Sequence, residues 1–231
     1  MTATIFITGA AGNLGRAVAN AFAERGNNLV LVDLNPEVLG KAYGAEDEGR
    51  LLAPANLVDQ SSVDAAVKKA LERFGRIDVL CNIAGAFRMG SPVHETNDKD
   101  WNFLFDVNAR SVLHTSRAVV PAMIQAGGGK IINIGAYAAQ KGAAAMGAYV
   151  ASKSAVIRIT ETMAAELREK NINVNCVLPT IIDTPENRAA MPKADARRWV
   201  APQDLAAVIV FLASDAARAV HGAAIPVSGL S

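Results

Sequence analysis

Thr4-Ile5-Phe6-Ile7-Thr8 passes directly into Gly9-Ala10-Ala11-Gly12-Asn13-Leu14-Gly15 and then into Arg16-Ala17-Val18-Ala19. A short apolar run, a glycine-rich turn and a stretch of helix formers read as strand, loop and helix. The glycines permit positive φ and let a backbone lie close against a pyrophosphate. The helix start beyond them offers unpaired N–H groups and a partial positive charge to receive it. Three glycines alone are a weak signal, and their place between a first strand and a first helix makes it informative. Gly9, Gly12, Asn13, Leu14 and Gly15 are accordingly candidate dinucleotide contacts.

Outward from this turn, short apolar runs alternate with longer segments of helical period, as βα repeats around a parallel sheet require. Strands are predicted at Thr4–Thr8, Asn28–Asp33, Leu51–Pro54, Asp78–Asn82, Lys130–Ile134, Asn173–Leu178 and Ala224–Val227. Helices are predicted at Asn13–Glu24, Ser61–Phe74, Lys99–Ala126, Tyr149–Lys170 and Pro202–Ser214, and Asn35-Pro36 begins another. The strand runs are apolar without alternation, as expected when helices cover both faces of a sheet. No repeat or linker divides the chain. With right-handed crossovers, the expected fold is α/β: a single-domain Rossmann fold, a doubly wound seven-stranded parallel sheet flanked by helices, over residues 1–231.

Composition narrows the function. Of 231 residues, 51% are hydrophobic and only 5% aromatic, which suits a core of Val, Ile, Leu and Ala. The net charge of +1, with no basic block, speaks against nucleic acid and anionic membrane surfaces as partners. No apolar stretch reaches the roughly 18 residues of a membrane span, and the amino-terminal run lacks the form of a signal peptide. Cys81 and Cys176 sit in apolar runs, as free thiols of a reducing compartment do, so a cytoplasmic location is expected. His94, His114 and His221 are scattered, and no metal site is expected.

Asp33 ends the predicted second strand, where an acid can hydrogen-bond the adenosine ribose. A 2′-phosphate there would face a like charge, worth about 4 kcal/mol of repulsion at 4 Å and an effective dielectric of 20. Asp33-Leu34-Asn35-Pro36 holds no Arg or Lys to offset it, so NADH is expected to be preferred over NADPH. Farther on, Tyr149 and Lys153 stand at i and i+4 on one helix and share a face. A nearby ammonium and an oxidised nicotinamide both favour phenolate, so the Tyr149 pKa is expected to fall from near 10 into the range of general acid–base work. Phe87, Met146 and Trp199 are candidates to line an apolar pocket there, whereas Arg88 and Arg188 read as solvated loop charges.

Taken in order, these segments resemble the short-chain dehydrogenase/reductase family over nearly the whole chain. Thr8-Gly9 opens a loop similar to the family's cofactor loop, with Gly12-Asn13 where a glycine usually occupies position 13. Asn56-Leu57 resembles the segment that meets the adenine ring. Cys81-Asn82-Ile83-Ala84-Gly85 resembles the family's Asn-Asn-Ala-Gly element, which implies cofactor contacts at Asn82, Ala84 and Gly85. Tyr149-Val150-Ala151-Ser152-Lys153 matches the Tyr-x-x-x-Lys pair. Asn108 matches the Asn that links the lysine to solvent through a water. Pro179 through Thr184, Ile182 included, resembles the nicotinamide-side segment, with Thr180 for the usual glycine. The resemblance implies a hydride-transferring enzyme with Tyr149, Lys153 and Asn108 as its catalytic group, acting on a small molecule as a homodimer or homotetramer.

One departure bears on the substrate. Thirteen residues before Tyr149 the family places a serine that bonds the substrate oxygen, and here Ala136 stands in that position. Alanine has no side-chain donor. A branch of the family without that serine, the dihydropteridine reductases, is similar in Gly135-Ala136-Tyr137-Ala138-Ala139 and in the segment Thr184–Trp199. A pterin substrate is therefore expected. The alternatives are a carbonyl or 3-oxoacyl reductase that works without the serine, or a non-catalytic dinucleotide sensor. Tyr137 is the adjacent hydroxyl, and strand alternation does not decide where it points.

Overall fold

Apolar runs that cannot satisfy their backbone alone pair edge to edge in the computed structural model, which describes residues 2–231. The strands are β1 (Thr4–Thr8), β2 (Asn28–Val32), β3 (Arg50–Leu52), β4 (Val79–Asn82), β5 (Gly129–Ile134), β6 (Ile172–Pro179) and β7 (Ala224–Val227). They form one sheet in the order β3-β2-β1-β4-β5-β6-β7, with every neighbouring pair parallel. The chain order reverses between β1 and β4, so their carboxyl ends open a crevice there.

Alternation within a strand serves two cores. Ile5 and Ile7 of β1 pack with Val18, Phe22, Leu205 and Ile209 on one face. Phe6, between them in sequence, packs with Val63, Val67, Leu80 and Met123 on the other. The helices that cover these faces are α1 (Asn13–Ala23), α2 (Pro36–Tyr43), α3 (Gln60–Phe74), α4 (Asp98–Phe105), α5 (Ser111–Gln125), α6 (Gly147–Leu167), α7 (Pro185–Ala190) and α8 (Pro202–Leu212). Local chemistry sets several of their starts. Asn35, Asp59 and Asn97 accept backbone N–H groups at the heads of α2, α3 and α4, and Pro36 occupies the first turn of α2.

The expected strands are all present, with ends moved by one or two residues. The helix expected over Lys99–Ala126 is not regular: α4 and α5 are joined by one turn of π geometry, Asp106–Arg110. Periodicity cannot reveal this, because the apolar stripe continues through it. The helix expected from Tyr149 begins two residues earlier, at Gly147, and tightens into a 3₁₀ turn over Arg168–Lys170. α7 was not expected, since six residues are too few for a periodic signal; Thr184 caps it and Pro185 opens it.

Candidate active site

Two adjoining cavities occupy the crevice at the strand ends. The first, of about 630 Å³, is walled by the β1–α1 loop, Asp33, Asn56, Leu57, Ala84, Gly85 and Thr184. The second, of about 560 Å³, shares Leu14, Ile83 and Gly85 with it and is walled by Tyr149, Lys153, Ala136 and Pro179 among others. Each cofactor candidate except Asn82 therefore lines one cavity or the other.

The first cavity is shaped by backbone. Gly9 has φ +63, and a Cβ on it would stand 2.8 Å from Ala84 Cα. A Cβ on Gly15 would overlap the Gly9 carbonyl oxygen. Gly12 lies at φ −71 and is the cap of α1, with no side chain bonding the helix's first N–H groups. Those free donors, aimed into a crevice where side chains are excluded, fit a dinucleotide pyrophosphate. At the end of β2, Asp33 braces the loop: its carboxylate accepts from Ala11 N at 3.0 Å and Leu34 N at 2.8 Å. Asn13 bonds Glu186 across the crevice at 2.9 Å, tying α7 to the glycine loop. Glu186 was not expected, and a lone exposed acid gave no signal of the tie.

The second cavity is held by side chains. Lys153 is buried, and its Nζ donates to the Ile134 carbonyl at 2.8 Å. Burial lowers the lysine's pKa to about 8. The Phe87 ring stands edge-on to Tyr149 with centroids 4.8 Å apart. The Tyr149 hydroxyl has no partner among the described residues, and burial pushes its pKa up to about 12. Desolvation of the phenolate is the cause in the chain by itself. The expected depression counted on an oxidised nicotinamide beside the ring, which is not part of the chain.

Asn108, in the π turn, does not reach Lys153 with its side chain. Its Oδ1 accepts from Ala86 N at 2.9 Å, and its Nδ2 donates to Ala86 O at 3.0 Å and to Ser152 Oγ at 3.0 Å. The amide thus clamps the loop after β4, a positioning role. Gly85 lies where the groups converge: a Cβ there would come 2.9 Å from Lys153 Nζ and 3.0 Å from Asn108 Oδ1.

Two other candidates lie elsewhere. Asn82 faces the core, where its Nδ2 donates to Asn133 Oδ1 and its Oδ1 accepts from Thr115. Asn133 continues that chain to Thr160. Asn82 pairs with Asn133 in register across β4 and β5, so it holds the sheet under the site and does not line the crevice. Trp199 is buried against the Gly229 turn, outside both cavities. Phe87, Met146 and Ala136 line the second cavity as expected, and Tyr137, Thr180, Asn187 and Met191 join them. Arg88 is held by Asp100 at 2.7 Å and by the Phe103 ring, and Arg188 by Asp183, so neither lines a cavity.

A doubly wound sheet with a glycine turn shaped for an anion, beside a half-buried Tyr149 and a buried Lys153, defines a dinucleotide-dependent oxidoreductase. The profile of the short chain dehydrogenase family matches residues 3–195, and the chain belongs to this family. It is 34% identical to D-threitol dehydrogenase of Mycolicibacterium smegmatis, over 96% of this chain and 90% of that one. It is also 34% identical to the 3-oxoacyl-[acyl-carrier-protein] reductase of Thermotoga maritima, over 96% of this chain and 95% of that one. Carveol dehydrogenase from Mycobacterium avium, solved in complex with NAD, superposes with a TM-score of 0.88 at 28% identity, covering 97% of this chain and 95% of that one. The chain is therefore an NAD(P)-dependent short-chain oxidoreductase.

Proposed function

We propose that the enzyme transfers a hydride between NADH and a small organic substrate, with Tyr149 as proton donor in the reductive direction. The observation that carries this is the Tyr149 phenol, unpartnered and facing a cavity that adjoins the glycine-loop cavity at Gly85. The nicotinamide, when bound, supplies or accepts the hydride. Gly12, Asn13 and Leu14 hold the pyrophosphate at the α1 start, and Asp33 meets the ribose and selects NADH over NADPH. Leu57 and Asn56 flank the adenine; Ile182, Pro179 and Thr184 flank the nicotinamide. Lys153 anchors on Ile134 O and positions the nicotinamide ribose. Tyr149, protonated at neutral pH, gives its proton to the substrate oxygen or nitrogen and recovers one from solvent.

Two substrate readings follow from different observations. Ala136, buried at the end of β5, leaves the site without the usual hydroxyl and favours a pterin, whose electron-poor ring depends less on it. The similarity to reductases and dehydrogenases of carbonyl and alcohol groups favours a ketone. We also propose a cytoplasmic enzyme, on its two buried free thiols, and a homodimer or homotetramer through the outer faces of α5 and α6, where Leu113 is exposed.

The test follows NADH absorbance with quinonoid dihydropterin and with a panel of ketones, for the wild type and Tyr149→Phe. Loss of the proton donor is expected to lower kcat roughly 10²–10⁴-fold while NADH binding stays within about threefold. Equal rates in the two proteins would remove Tyr149 from the chemistry.

A further inference from the structure

The walls of the second cavity say which of these substrates fits. We infer that it takes an uncharged, compact ketone, or in reverse its secondary alcohol, whose oxygen is held by two phenols, Tyr149 and Tyr137. This rests on the hydride-transfer reading above.

Much of the wall is apolar: Phe87, Ala138, Met146, Ile181 and Met191 surround the opening. The one charged side chain on it, Lys153, is buried and committed to Ile134 O. No carboxylate lines it, and the two nearby guanidiniums are paired with Asp100 and Asp183. A substrate carboxylate or phosphate would lose its hydration with no cation beyond that lysine to receive it. The polar walls are largely committed as well. Thr180 Oγ1 donates to Ser228 O at 3.0 Å, with Ser231 Oγ at 2.7 Å, and Asn187 Nδ2 donates to Ile182 O at 2.8 Å. A polyol or a pterin, with several polar groups to satisfy, would leave some unpaired, at about 1–3 kcal/mol each.

Two hydroxyls remain without a partner among the described residues, those of Tyr149 and Tyr137. Tyr137 opens the 3₁₀ turn Tyr137–Gln140 directly after buried Ala136, and it is half exposed on the cavity wall. A carbonyl oxygen accepts two hydrogen bonds, which these two hydroxyls can supply. During reduction the carbonyl carbon gains the hydride of NADH and the C=O π pair moves to oxygen. That oxygen takes the Tyr149 proton, while Tyr137 keeps its own and donates a hydrogen bond to the growing charge. The ketone is reduced and NADH is oxidised.

The experiment measures kcat/KM with NADH for four probes: a cyclic monoketone, the same ring bearing a carboxylate, a ketose, and quinonoid dihydropterin. It uses the wild type, Tyr137→Phe, and Tyr137→Phe combined with Ala136→Ser. The monoketone is expected to exceed the other three by roughly 10²-fold. Tyr137→Phe is expected to lower its kcat roughly 10–10²-fold, with NADH affinity and melting temperature unchanged, and serine at 136 should restore part of that loss. Wild-type kcat in Tyr137→Phe, or a preference for the ketose or the carboxylated ring, would overturn the inference. Rapid pterin turnover that is lost in Tyr149→Phe would overturn it and leave the hydride-transfer reading standing. No NADH oxidation with any probe, despite tight NADH binding, would overturn both.

Discussion

The two ends of the crevice are built from different materials. At the dinucleotide end the shape comes from the main chain: Gly9 and Gly15 have no room for a Cβ, and the α1 start presents bare N–H groups. At the Tyr149 end the shape comes from side chains, with Phe87, Met146 and Ala136 forming the wall and a buried lysine beneath. A site made of main chain can be changed only by disturbing the fold. A site made of side chains can change its substrate one residue at a time, as Ala136 illustrates.

Substitutions can break that contrast. Gly15→Ala should have the largest effect, because the added methyl meets the Gly9 carbonyl and not a movable side chain. A loss of about 3 kcal/mol or more is expected in urea unfolding, within the usual range for overpacking against a rigid neighbour or somewhat above it. A loss under about 1 kcal/mol would mean the loop yields, and that the main-chain description is wrong.

Lys153→Met probes the other end. The lysine's pKa in the folded protein, about 8, lies below its ordinary value of 10.5. The unfolded chain therefore holds more protons at this lysine between those values, so the lysine's own contribution to stability should rise with pH across that window. Burial of Cys81, Cys176, Tyr43 and Tyr149 acts the other way and is common to both proteins. At pH 7 the methionine variant is expected to be more stable by on the order of 2 kcal/mol, an advantage that fades by pH 10.5. Melts at pH 7 and pH 10 read this directly. An advantage of the variant that does not shrink between the two pH values would show the ammonium to be stabilising where it lies.

Smaller still is the effect of Asp33→Asn, which removes the charge and keeps an oxygen for one of the two N–H groups, Ala11 N or Leu34 N, that the carboxylate serves separately. The ratio of NADPH to NADH kcat/KM should rise about tenfold or more; an unchanged ratio would shift the selection elsewhere. Gly12→Ala should be the mildest. Gly12 has an ordinary φ, and its Cβ would come no closer than 3.4 Å to Gly9 O, so stability should stay within about 0.5 kcal/mol. A large loss there would erase the distinction between the loop's glycines.

The same contrast explains what could be read in advance. Gly9, Gly15 and Asp33 announced themselves because main-chain geometry demands particular residues at particular spacings. The strands did so because burial on both faces leaves an unbroken apolar run. Asn82 misled because an amide beside the crevice can turn inward, and only the cross-strand partner Asn133 and Thr115 decide that it does. Trp199 misled because proximity in a loop says nothing of which side it packs on. The burial that raises the Tyr149 pKa in the chain by itself was not legible, because charge proximity shows in sequence while desolvation does not. Tyr137's orientation could not be read either, since it depends on how the chain leaves β5.

The π turn at Asp106–Arg110 has a consequence for insertions and deletions. Such a turn holds one residue more than a regular helix needs. Removing a residue there would let α4 and α5 merge into an unbroken helix, a change the fold could absorb. The amide of Asn108 would swing away from Ala86, and the loop after β4 would lose its clamp. At this point the chain can shorten without unfolding only by giving up the floor of its site, so length itself becomes a marker of function.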